Sequence, residues 1–188
     1  MEYNKLAKEI HQDQKEAGWY DELRSDNTLI LLIKSELFEA FEAYRKEPKI
    51  EALGQSYLHS LLHLSKEIDS LFVERFKENV KDSFADELAD TVIRLLDFAG
   101  YKKLDLIFDE DLEIKEIEIT DVLTTLVNLD YNLTAIYHDG LIGGDFILWI
   151  IRQIEELAVF YEIGLETHIK LKLAYNKTRG KRHGNKAV

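Results

Sequence analysis

Apolar residues recur at intervals of three and four along most of the chain, the period of a helix that buries one face. The pattern predicts a first helix over residues 2–16, ending near Gly18 where GWYDE makes a turn. A second is predicted over 26–47, with Asp26 or Asn27 as N-cap and Pro48 as its stop. A third fits 50–79 with one break, and a fourth fits 81–100. The segment DLEIKEIEIT, residues 111–120, partly alternates and reads as extended, although no partner strand is evident. Thr120 is expected to cap a fifth helix reaching His138, and the glycines of DGLIGGD end it. Asp145 opens a sixth helix ending near Gly164, and a last helix runs over 166–178 before GKRHGNK. The reading is an all-α fold, a helical bundle forming one domain over 1–188.

Composition supports that picture and narrows the chemistry. The chain of 188 residues has one proline, nine glycines and 46% apolar residues, a helix-rich balance. It has no cysteine, so disulfides, thiolate metal sites and cysteine nucleophiles are excluded together. That suits a reducing compartment. The N-terminus has no cationic start followed by an apolar stretch, and no apolar run approaches about 18 residues, so a cytoplasmic protein without a membrane span is expected. The net charge of -12 argues against nucleic-acid binding, which depends on cations that neutralise phosphates. The charge is unevenly placed, however. Residues 170–186 hold seven of the 24 basic residues and none of the 36 acidic ones. An acidic body with a basic segment for anions is one reading of this, and a solvated basic tail is the other.

The acidic residues of SELFEAFEAYRK, 35–46, stand among positions that should be buried. At about 100° per residue, Leu29, Leu32, Ala40 and Ala43 fall within about 40° of Glu36, while Ile30, Ile33, Leu37, Phe41 and Tyr44 extend the apolar arc. Glu36 therefore points toward the core. Glu39 lies one turn along at the edge of the same face, and Glu42 turns further toward solvent. The fourth predicted helix repeats the arrangement in ADELADTVIRLLD, where Glu87 and Asp90 are three apart and Phe84, Thr91, Leu95 and Phe98 continue the apolar side. Either pair alone is common on solvated helix faces. Two inward pairs on helices packed about 8–10 Å apart can converge, and four such carboxylates repel one another unless a cation neutralises them. Oxygen ligands without cysteine or histidine favour Mg²⁺ or Mn²⁺.

In the basic segment, Lys172, Asn176 and Arg179 are spaced i, i+4 and i+7 and share one face. An ammonium, an amide and a planar guanidinium fork suit phosphate oxygens. Lys181, Arg182, His183 and Lys186 follow in a loop that could close over the same group, or serve only for solubility.

The blocks GWYDE, LLIKSELFEAFEAYRK, FADELADTVIRLLDFAGY and IKLKLAYNKTRGKRHGNK, in this order, resemble the MazG-like branch of the all-α NTP pyrophosphatase superfamily. Its members are Mg²⁺-dependent helical enzymes that hydrolyse nucleoside triphosphates to the monophosphate and pyrophosphate, usually as dimers or tetramers. The resemblance implies Glu36, Glu39, Glu87 and Asp90 as metal ligands and Glu39 or Glu42 to orient the attacking water. It implies Lys172, Asn176 and Arg179 for the phosphates and Trp19 near the base or sugar, where packing against the bundle is the alternative. The expected partners are a nucleoside triphosphate and a second or further copies of the chain, a homodimer or homotetramer, with no nucleic acid and no membrane. Ser35 stands where many relatives have another glutamate, and residues of about 50–79 and 107–157 look like additions. A di-iron bundle is disfavoured, because it uses Glu-x-x-His pairs and no histidine here has a glutamate three residues before it. A nucleotide sensor or interaction module of the same fold remains the alternative to an enzyme.

Overall fold

The computed structural model describes residues 1–50, 52–67, 70–107, 119–138 and 143–181, with no account of the side chains at 137 and 138. Among these residues the regular structure is entirely α-helical. The helices are α1 (Tyr3–Glu16), α2 (Asp26–Lys46), α3 (Gln55–Leu64), α4 (Ser70–Asn79), α5 (Phe84–Lys102), α6 (Val122–His138), α7 (Gly144–Phe160) and α8 (Leu165–Lys177). They form an all-α bundle. The third predicted helix, with its break, is the pair α3 and α4, and it starts five residues later than predicted. Most of the alternating segment, 108–118, and the residues from Arg182 onward lie outside the described residues, while Ile119 and Thr120 have no regular structure.

Two caps differ from the sequence reading for the same reason. The N-cap of α2 is Ser25, whose hydroxyl accepts from the Thr28 N–H, and not Asp26 or Asn27. At the start of α6 the Asp121 carboxylate, not Thr120, accepts from the Thr124 N–H at 2.8 Å. In both places several cap-forming residues stand in a row. The one retained places its oxygen over the N–H three residues on.

The organising element is α5. It is apolar on most sides, with Leu88, Ala89, Val92, Ile93, Leu95, Leu96, Phe98 and Ala99 buried, as expected of a helix enclosed by others. α1, α2, α7 and α8 all pack on it. Gly100 permits the close approach of α1: a Cβ there would meet the Ala7 carbonyl oxygen at 2.5 Å and the His11 Cβ at 2.7 Å. α2 uses Leu29, Ile30, Ile33, Leu37 and Ala40 against this core, whereas Phe41, expected on the same arc, is at the exposed edge with Leu31 and Phe38.

A second apolar cluster lies apart from this one. Leu58 and Leu61 of α3, Phe72 and Phe76 of α4, and Val80 enclose Leu171 and Tyr175 of α8. Phe76 stacks on Tyr175 with ring centroids 4.4 Å apart. Each fully buried Leu or Phe contributes about 1.5–3 kcal/mol by removal from water, so this cluster pins α8 in addition to its packing on α5. No helix among the described residues is long and apolar enough to cross a membrane.

Candidate functional site

α5 starts with a cap that also sets its chemistry. The Ser83 hydroxyl accepts from the Asp86 N–H at 3.2 Å, and the Asp86 carboxylate reaches back to accept from the Asp82 N–H at 3.0 Å. This is a variant of the reciprocal capping box. It fixes the first turn of the helix, and Glu87 and Asp90 follow directly from it. Asp82 itself has φ 61, in the left-handed region that aspartate tolerates better than most side chains.

Glu87 and Asp90 meet α2 and α8 in a cleft of about 130 Å³. Glu36 and Glu39 enter it from α2, Lys172 and Asn176 from α8, and Arg179 from the bend just after α8. Glu36, Glu39 and Glu87 each place an oxygen so that all three lie within 4.8 Å of one another. Asp82, Asp86 and Glu87 form a second such group. Glu36 and Glu87 are buried and Glu39 is exposed, so the triad has one watery side. Glu42 is not among the lining residues: it is held by Arg45, whose Nη2 donates to its Oε2 at 2.6 Å, and that bond keeps its carboxyl below the usual range.

Two cations are built into the acidic face. The Lys172 ammonium, only 5% exposed, lies 2.6 Å from Asp86 Oδ2 and 2.7 Å from Asp90 Oδ2. Burial opposes its charge, but Asp90 and Asp86 outweigh burial and raise its pKa. The α8 lysine is thus directed into the carboxylates, and Arg179, expected on the same helix face, lies past the helix end. Arg94 donates through Nε to Glu36 Oε1 at 3.1 Å. Glu36, Glu39, Asp86, Glu87 and Asp90 outnumber these two cations. The surplus is visible in the proton equilibria. Burial, with help from Asp90 and Glu39, raises Glu36. Burial pushes Glu87 up to about 9, and Asp86 up to about 6 despite Lys172. One Asp86 oxygen, Oδ1, is buried without a hydrogen-bond partner.

A hard divalent cation fits this donor set, which is all oxygen, over-supplied with negative charge and partly unpartnered. Glu36, Glu39 and Glu87 are the residues whose oxygens converge to hold it; Asp90, the fourth expected ligand, lines the same cleft with its Oδ2 on Lys172 at 2.7 Å and stands outside that triad. Asp82, Asp86 and Arg94 belong to the same face and escaped the sequence reading. Asp86 and Arg94 were reachable from it, since each lies one turn from Asp90.

Beyond Arg94 the polar face continues toward α1. The Asp97 carboxylate accepts from the Tyr20 hydroxyl at 2.9 Å and pairs with His11 Nδ1 at 2.9 Å. Trp19 is only 4% exposed, with the Arg24 and Arg94 guanidinium carbons 5.1 and 5.7 Å from its ring centroid. The structure thus encloses Trp19 behind Arg94. Arg179 lies over the Tyr175 ring and lines the cleft, as does Asn176, whose Oδ1 is buried without a hydrogen-bond partner. Lys181 is exposed and not among the lining side chains. Arg182 lies outside the described residues.

No family model, no curated protein and no solved structure matches this chain.

Proposed function

We propose that this chain is a Mg²⁺-dependent nucleoside triphosphate pyrophosphohydrolase of the MazG-like kind, with Mn²⁺ as an alternative ion. One observation carries the reading: oxygens of Glu36, Glu39 and Glu87 gather within 4.8 Å of one another in a cleft that also holds Lys172, Asn176 and Arg179. A carboxylate cluster calls for a cation, and a cation faced by an ammonium and a guanidinium calls for a polyanion.

In this reading Glu36, Glu39, Glu87 and Asp90 hold the ion. When bound, it supplies a more acidic water and neutralises phosphate charge. Glu39, the exposed member of the triad, orients the water and takes its proton. The water oxygen bonds to phosphorus, the bridging P–O bond breaks, and its electron pair leaves with the departing phosphate group as monophosphate and pyrophosphate form. Lys172 acts as a fixed positive charge because Asp86 anchors it. Arg179, just past the end of α8, supplies the planar fork that meets charge developing on the phosphate oxygens. Trp19 contributes through Arg94, whose guanidinium it backs.

The test is pyrophosphate release over a panel of ribo- and deoxyribonucleoside triphosphates, with Mg²⁺ and with chelator. Metal-dependent release of equal amounts of monophosphate and pyrophosphate is expected. Nucleotide binding without product would replace the enzyme by a sensor, and absence of both would leave a helical interaction module.

A further inference from the structure

The acidic cleft, at about 130 Å³, is well below the roughly 300 Å³ at which pockets for organic ligands begin. It has room for phosphates and not for a nucleoside. A second cavity of about 290 Å³ borders it, and Asp82 lines both. The second space has a different character. Ile50, Leu53, Phe84 and Ile163 give it apolar walls, and α5 begins at one side, so the N–H groups of Phe84 and Ala85 carry no intrahelical bond.

His168 lines this cavity from α8, one turn before Lys172. It is only 1% exposed, and its Nδ1 has no hydrogen-bond partner. A buried polar atom left in this way is destabilising, so a ligand that satisfies it gains correspondingly. Burial pushes the imidazole down to about 4, which leaves a neutral ring at physiological pH. Lys46 and Lys49 line the cavity with Glu47 and Asp82, so its charged groups balance, and the neutral ring and apolar walls set its character. An uncharged heterocycle with polar edges fits.

We infer that this cavity is the base pocket of the same site, with the heterocycle of a nucleoside triphosphate reaching His168 Nδ1 and the α5 N-terminus, and the sugar at Asp82 where the two spaces meet. The inference rests on the triphosphate reading above and assigns the base to His168 in place of Trp19, which is enclosed.

Calorimetry in Mg²⁺ with two probes separates the two ideas: inorganic tripolyphosphate, which needs only the acidic cleft, and a panel of nucleoside triphosphates. The wild-type chain is expected to bind its preferred nucleotide at least about tenfold tighter than tripolyphosphate. Two variants report on the cavity. His168→Leu removes the ring nitrogen, and Asn79→Trp fills the space from the exposed end of α4. Each should cost about tenfold or more in nucleotide affinity while tripolyphosphate stays within about twofold. The His168 ring resonances should shift with nucleotide and not with tripolyphosphate. Tripolyphosphate binding as tight as every nucleotide, or nucleotide affinity unchanged in Asn79→Trp, overturns the base pocket and leaves the phosphate cleft standing. Failure of the wild type to bind either probe overturns both.

Discussion

At the scale of single residues, the centre is a balance between too many carboxylates and two tethered cations. Glu36→Gln or Asp90→Asn should remove more activity than the roughly 10–100-fold that even outer-shell changes cost, with helical content retained; steady-state pyrophosphate release and circular dichroism check this together. Glu87 gives a pH prediction. Its folded pKa, about 9, lies above the ordinary 4.5, so its contribution to stability is fully present below about 4.5 and is lost as pH rises through about 9. In chelator, urea midpoints should therefore fall between these limits, and Glu87→Gln should flatten the decline. Lys172 is coupled to Asp86. Lys172→Met strands a buried carboxylate and should cost about 3–5 kcal/mol, much of it recovered in Lys172→Met/Asp86→Asn. A double-mutant cycle in chelator measures the coupling, and nucleotide affinity should stay weak in both variants.

At the scale of elements, helical period was enough to place Glu36 and Glu87 inward, because a helix with one apolar arc leaves little choice of face. It also sets Asp86 one turn from Asp90 but does not show what Asp86 meets; only the bundle shows α8 covering it, with Lys172 on its carboxylate. The same limit applies to Lys172: spacing shows which residues share its face, and only the packing of α8 across α5 shows what that face meets. Ser83 ties these facts together. It caps the turn from which Asp86, Glu87 and Asp90 project, so Ser83→Ala should cost about 1 kcal/mol in thermal or urea unfolding. It should also weaken Mn²⁺ binding measured by electron paramagnetic resonance.

At the scale of the whole molecule, α8 is held both by α5 and by the apolar cluster of α3 and α4. A break within residues 50–79 was legible, but the grip of α3 and α4 on α8 was not, because periodicity does not say which distant helix an apolar face will meet. Phe76 lies far along the chain from Lys172 and Arg179. Yet Phe76→Ala, which opens a cavity against Tyr175, should cost about 3–5 kcal/mol. Hydrogen exchange should then rise along α8 more than along α1, and affinity for tripolyphosphate should fall.

Glu39 is the one member of its oxygen triad that faces water. An ion held there, as proposed, would exchange with the bulk on that flank, without any helix having to part. Release into a strong chelator should accordingly run at the tempo of ligand exchange. A lag matching global opening of the chain would mean that the doorway is elsewhere.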